Sequence, residues 1–125
     1  MHVLHAHEGA TQEITSNRIF TGGQVWRRGL AGADTGAGRE FSLGIVQFAA
    51  GARTQFHTHS GEQVLYVVHG IGKVGTRAGE TVISVGDCAV IPAGEEHWHG
   101  AADTGSPMAH LALTRAESTT TVIEN

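Results

Sequence analysis

The chain has 125 residues, with 18 glycines, nine histidines, two prolines and one cysteine, and a formal net charge of −4. That length is a prior for a single domain. A 40% hydrophobic content at this modest charge lies outside the composition of disordered chains. Cys88 is the only cysteine, so no disulfide forms within the chain. The opening MHVLHAHEGATQEITS lacks a basic stretch followed by an apolar one, and no apolar run approaches the roughly 20 residues of a membrane span. The expectation is a cytoplasmic protein without a membrane partner. Four basic and four acidic residues precede Gly51, and four basic and eight acidic residues follow Ala50. No basic stripe is available to a phosphate backbone, which excludes nucleic acid and leaves small molecules, metal ions and protein partners.

Residues 15–20 and 24–28 read as N-terminal strands, placed to cover a sheet edge or to pair with a second subunit. His2, His5 and His7 precede them in a segment expected to fray. Residues 29–40, GLAGADTGAGRE, hold four glycines and no apolar period. They are expected to form a mobile loop, either a lid over a pocket or a slack surface connection.

From Phe41 onward, β-branched and aromatic runs are broken by Gly-containing turns at intervals of eight to twelve residues, the pattern of an all-β sandwich or barrel. The predicted strands are 41–49, 54–59, 63–69, 73–76, 81–85, 88–91, 97–100 and 108–114, with tight turns at 77–80 and 85–87. Cys88 is expected to be a buried, inert thiol. The tail 116–125 is polar and Thr-rich until Val122 and Ile123, and is either frayed or docked.

Four histidines form two His-x-His pairs, His57-Thr58-His59 and His97-Trp98-His99. Alternate residues of a strand share a face, so each pair can converge on one point. Imidazole suits ions such as Zn, Cu, Fe and Ni, and a few histidines plus an oxygen ligand leave positions open for substrate.

The flanking residues add spacing. Gly51, His57, His59 and Gly70 stand in GARTQFHTHSGEQVLYVVHG, and Gly86, Pro92, Gly94 and His97 stand in GDCAVIPAGEEH. These stretches resemble the two motifs of the cupin family, which implies a single cupin domain over 1–125, a small jelly-roll β-barrel with its core at about 41–114. Where the family pattern has Glu, this chain has Gln63, with Glu62 just before it. Strand parity turns Gln63 toward the His57 face and Glu62 away, whereas a bulge at Ser60-Gly61 would admit Glu62 instead. The ligand set implied by the resemblance is His57, His59, Gln63 and His97, all neutral, which leaves a bound divalent ion its full charge.

Within the family, bacterial cupin-type hydroxynitrile lyases look similar from Gly51 to Leu113, including PAGEEHWHGAA and MAHLA. That resemblance implies manganese as the ion, with Fe, Ni or Zn as alternatives. It also implies catalytic acid/base roles for His99 and His110 beside the open coordination position. The turn holding Gly105-Ser106-Pro107 is one residue longer than in that group, and the region before Gly51 matches it poorly. Each site histidine also has a plainer alternative: His110 as a buried ring bonded to backbone, and His99 as packing behind the site. Trp98 and Tyr66 alternate away from the ligand face, His69 ends a strand, and Glu95 and Glu96 fall in a turn.

Three functions follow as expectations. The first is a metal-dependent lyase of the hydroxynitrile lyase type acting on a small molecule. The second is an oxygen-dependent cupin dioxygenase acting on a diketone or flavonol-like substrate. The third is a non-catalytic cupin that binds a small ligand or the metal itself. An enzyme is favoured over a binder, and the resemblance implies a homodimer.

Overall fold

The structure is a computed structural model and describes residues 1–123. It contains strands and no helix: β1 (Thr11–Glu13), β2 (Phe20–Thr21), β3 (Val25–Ala31), β4 (Phe41–Phe48), β5 (Arg53–Thr54), β6 (Phe56–His59), β7 (Gln63–Thr76), β8 (Gly79–Ser84), β9 (Cys88–Ile91), β10 (Trp98–Gly100), β11 (Met108–Arg115) and β12 (Thr120–Ile123). The backbone order is β1-β3-β4-β11-β7-β10-β5-β2, with β8 and β9 also paired to β7 and a separate β6-β12 ribbon. All pairings are antiparallel. This is the expected all-β jelly-roll barrel.

Two predicted strands, 63–69 and 73–76, are one. β7 runs unbroken through Gly70, pairing with β11 and β9 in its first half and with β8 and β10 in its second. Its bend is a glycine device. Gly70 has φ +73°, and a Cβ there would stand 1.9 Å from the Pro107 carbonyl oxygen, so no side chain fits the turn from one layer to the other.

The inner face carries a cluster of Val25, Val46, Phe48, Ala52, Val67, Ile83, Ala101 and Met108. A smaller cluster of Phe56, Trp98 and Ala102 packs with Ile123 on the other side of β10. Trp98 therefore faces away from the ligand side, as parity predicts, and Arg53 lies 3.7 Å over its ring.

Several expectations are corrected. Of residues 15–20 only Phe20 is in a strand, at the start of β2: Asn17 accepts from the Ile19 amide and turns the chain between β1 and β2. β3 continues to Ala31, and a Gly32–Ala37 bridge closes the glycine-rich stretch into a compact hairpin. Thr35 and an Arg27–Asp34 ion pair fasten that hairpin. Gly32, Gly36 and Gly38 take positive φ within it. Residues near His5 do not fray freely, because the Arg28 guanidinium donates to the His5 and Glu8 carbonyls. Cys88 is exposed, since its β9 position points outward. The tail docks as β12 against β6; its last two residues lie outside the described ones. Among the described residues no helix is long and apolar enough to cross a membrane.

Candidate metal centre

β6 presents His57 and His59 to the interior, and the strand-like bridge between His57 and His97 brings the second motif beside the first. The ligating nitrogens of His57, His59 and His97 lie within 4.8 Å of one another, and all three residues are buried. Gln63, at the start of β7, is buried beside them, while Glu62 is exposed. Its Oε1 lies 3.1 Å from His59 Nε2 and 3.3 Å from His97 Nε2.

The outer ring nitrogens are already engaged. His57 Nδ1 donates to the Gln55 carbonyl and His97 Nδ1 to the Glu95 carbonyl, each at 2.9 Å. His59 Nδ1 lies 2.9 Å from the Thr120 hydroxyl. A neutral imidazole whose Nδ1 carries the proton has its lone pair on Nε2. With the Gln63 amide in this orientation, His97 Nε2 and Gln63 Oε1 are two acceptors converging with no proton between them, a contact that a bound cation would relieve. Outer partners of this kind also orient metal-bound histidines. The donor set fits one divalent ion.

Electrostatics agree. Burial pushes His57 down to about 3, with the neighbouring His97 and His59 acting in the same direction against the Gln55 carbonyl. His59 and His97 are lowered as well, chiefly by burial. Rings that resist protonation keep their lone pairs for a metal.

His99 lies on the next position of the same face, its ring centroid 5.3 Å from that of His57. Its amide donates to the Thr54 hydroxyl, and its Nδ1 is 2.9 Å from His110 Nε2. One of these nitrogens donates and the other accepts, so the tautomer of one ring fixes that of the other. Both rings are driven toward neutrality by burial, His99 well below its ordinary value and His110 to about 4. His110 lies behind His99, against Phe48, with the backbone of His110 and Leu111 beside its ring.

A cavity of about 250 Å³ opens onto this group, lined by His57, His59, Gln63 and His99 but not by His110. Its other walls are apolar, from Ile14, Ile19, Phe20, Val46 and Ala112, with hydroxyls from several Ser and Thr. A dry 150 Å³ cavity holds benzene, so this one has room for a substituted ring. Tyr66 and His69 lie on the outer surface, as do His2, His5 and His7, and none of them reaches the cavity.

Two contributors had little or no sequence signal. Thr120 sits in a tail without a motif. Arg27 reaches the cavity because it stands two positions after the buried Val25 on β3, a parity visible only once that strand is certain.

Residues 44–114 match the cupin domain family, and the chain belongs to it. The (R)-mandelonitrile lyase of Granulicella tundricola is 45% identical over 69 residues, 54% of this chain and 52% of that protein, so the match spans about half of each. A cupin-like protein from Thermotoga maritima superposes with a TM-score of 0.79 at 29% identity, covering 94% of this chain and 86% of that one. The polyketide cyclase RemF from Streptomyces resistomycificus superposes at 0.84 and 20% identity, covering 100% and 87%, and shows the fold alone.

Proposed function

We propose that this cupin is a metal-dependent lyase of the hydroxynitrile lyase type, with His57, His59, Gln63 and His97 as ligands of one divalent ion, manganese by preference. The observation that carries the reading is the juxtaposition of a carboxylate-free ligand cluster and the His99–His110 pair at one small cavity. The (R)-mandelonitrile lyase relative supports the choice of reaction.

A divalent ion held by neutral ligands would supply Lewis acidity toward a substrate oxygen. The rest falls to the chain. In the tautomer where His99 Nδ1 donates to His110 Nε2, His99 has its Nε2 lone pair available to the cavity. It takes the proton of the cyanohydrin hydroxyl as the carbon–carbon bond breaks and its electron pair leaves with cyanide. The same nitrogen then returns that proton to give hydrogen cyanide and the aldehyde. His110 holds the tautomer and does not touch substrate. Apolar walls receive the substrate's ring and exclude water.

Manganese-loaded protein is expected to cleave mandelonitrile without consuming oxygen, and His57→Ala to lose both the metal and the activity. Oxygen uptake with a diketone substrate would favour a dioxygenase instead, and ligand binding without turnover a binder. The reading includes a homodimer, supported by an apolar outer groove of about 640 Å³ lined by Trp26, Ile45, Val68, Pro107 and Ala109.

A further inference from the structure

Arg27 is the one charged side chain in the cavity wall among the described residues, and no carboxylate lines that wall. It projects from the inner face of β3, opposite Val46 in register. The guanidinium lies across Gly44 of β4: a Cβ at Gly44 would stand 2.7 Å from its Nε, Cζ and Nη2. The absence of a side chain at 44 is what lets the arginine lie flat there. Nη1 is taken by Asp34 of the glycine-rich hairpin. Among the described residues no hydrogen-bond partner meets Nε or Nη2, and the Arg27 side chain keeps 29% of its exposure.

Nε and Nη2 form the edge of a guanidinium that accepts a carboxylate through two parallel bonds. Asp34 fixes the plane from the opposite end and lies outside this cavity, in the wall of a neighbouring cleft that shares Arg27 and Ile14. Asp34 offsets the charge of the guanidinium but leaves the two donors of the Nε/Nη2 edge unmet among the described residues, and beside apolar walls they favour a ligand that is anionic at one end and apolar in its body.

We infer that Arg27 is a specificity-determining residue that binds the carboxylate of a small, ring-sized substrate whose reacting end faces the histidine cluster. The inference rests on the reading of this cavity as the substrate site and narrows its substrate class to carboxylate-bearing molecules.

The test compares benzoate with the uncharged benzamide by calorimetry, on manganese-loaded protein and again on protein stripped of metal by chelation. Wild type is expected to prefer benzoate by about tenfold or more in both forms, the scale of a charge-assisted hydrogen bond. Arg27→Gln is expected to abolish that preference while still binding benzamide, and its circular dichroism and melting temperature show that the variant folds. Arg27→Lys, a cation without the planar fork, is expected to retain part of it. Equal affinities in metal-stripped wild type, or a benzoate preference that survives in metal-stripped Arg27→Gln, would overturn the inference. Failure to retain stoichiometric manganese, with an Arg27-dependent preference still present in stripped protein, would sink the metal reading and leave this one standing.

Discussion

The buried histidines make the centre a proton-excluding site. His110 illustrates the sign. Its folded pKa is about 4 against an ordinary 6.5, so the neutral form is favoured in the native state and the unfolded chain binds more protons at mild acidity. Its contribution to stability is therefore complete above pH 6.5 and lost as pH falls toward 4. For metal-free protein the denaturation free energy is expected to drop by about 2 kcal/mol between pH 7 and pH 5 from this residue alone. His57 adds loss of the same sign. Urea titrations at the two pH values measure the drop, and His110→Phe is expected to make it smaller. At this scale the sequence was most legible where spacing implied convergence: His57, His59 and His97 meet, and Gln63 rather than Glu62 turns inward. The order of His99 and His110 was not legible. Parity places both on the inner face but does not say which ring stands in front of the other.

Elements explain why the centre holds its shape. β12 pairs only with β6, through Thr120 opposite His59 and Val122 opposite His57. The Thr120 hydroxyl meets His59 Nδ1, so β12 sets the orientation of a proposed ligand in the first motif. Loss of such an outer partner costs a metal site 10- to 100-fold in affinity on the order of other such sites. Thr120→Val, which keeps the branched shape and removes the hydroxyl, is expected to weaken manganese affinity by about that factor while leaving the fold intact. Competition with a fluorescent chelator measures it. Strand periods predicted most elements from β4 to β11, but the single strand expected over 54–59 is two, β5 and β6, which pair in different sheets. They failed at Gly70, where a glycine that usually ends a strand instead lets β7 cross between layers. They failed again before β4, where β1 and β2 are only three and two residues long, too short for a period to register.

The whole molecule presents two kinds of surface. Inside, the cavity is walled by imidazoles, the Gln63 amide, hydroxyls, apolar groups and the Arg27 guanidinium. Outside, the sheet formed by β3, β4, β11 and β7 exposes Tyr66 and Val68 beside the groove at Trp26 and Ile45. Apolar patches of this extent on a small protein mark contact surfaces, and a two-fold dimer would cover the same patch on both copies. Sedimentation is expected to give twice the 13.1 kDa chain mass, and Val68→Glu to shift it toward the monomer without changing the metal content. Family-level spacing made the barrel and the convergence of His57, His59 and His97 legible in the sequence. The outer face was not, because its residues alternate with core residues along the same strands and share their chemistry.

The β6-β12 ribbon has a kinetic consequence. A two-stranded ribbon at the barrel's margin is the kind of unit that opens locally far more often than the molecule unfolds. Each opening of β12 withdraws the Thr120 hydroxyl and frees the His59 ring to swing away from its neighbours. Entry and escape of an ion at the proposed site are expected to follow the opening of β12, so its residence time and the amide exchange of Thr121 and Val122 are expected to report the same event.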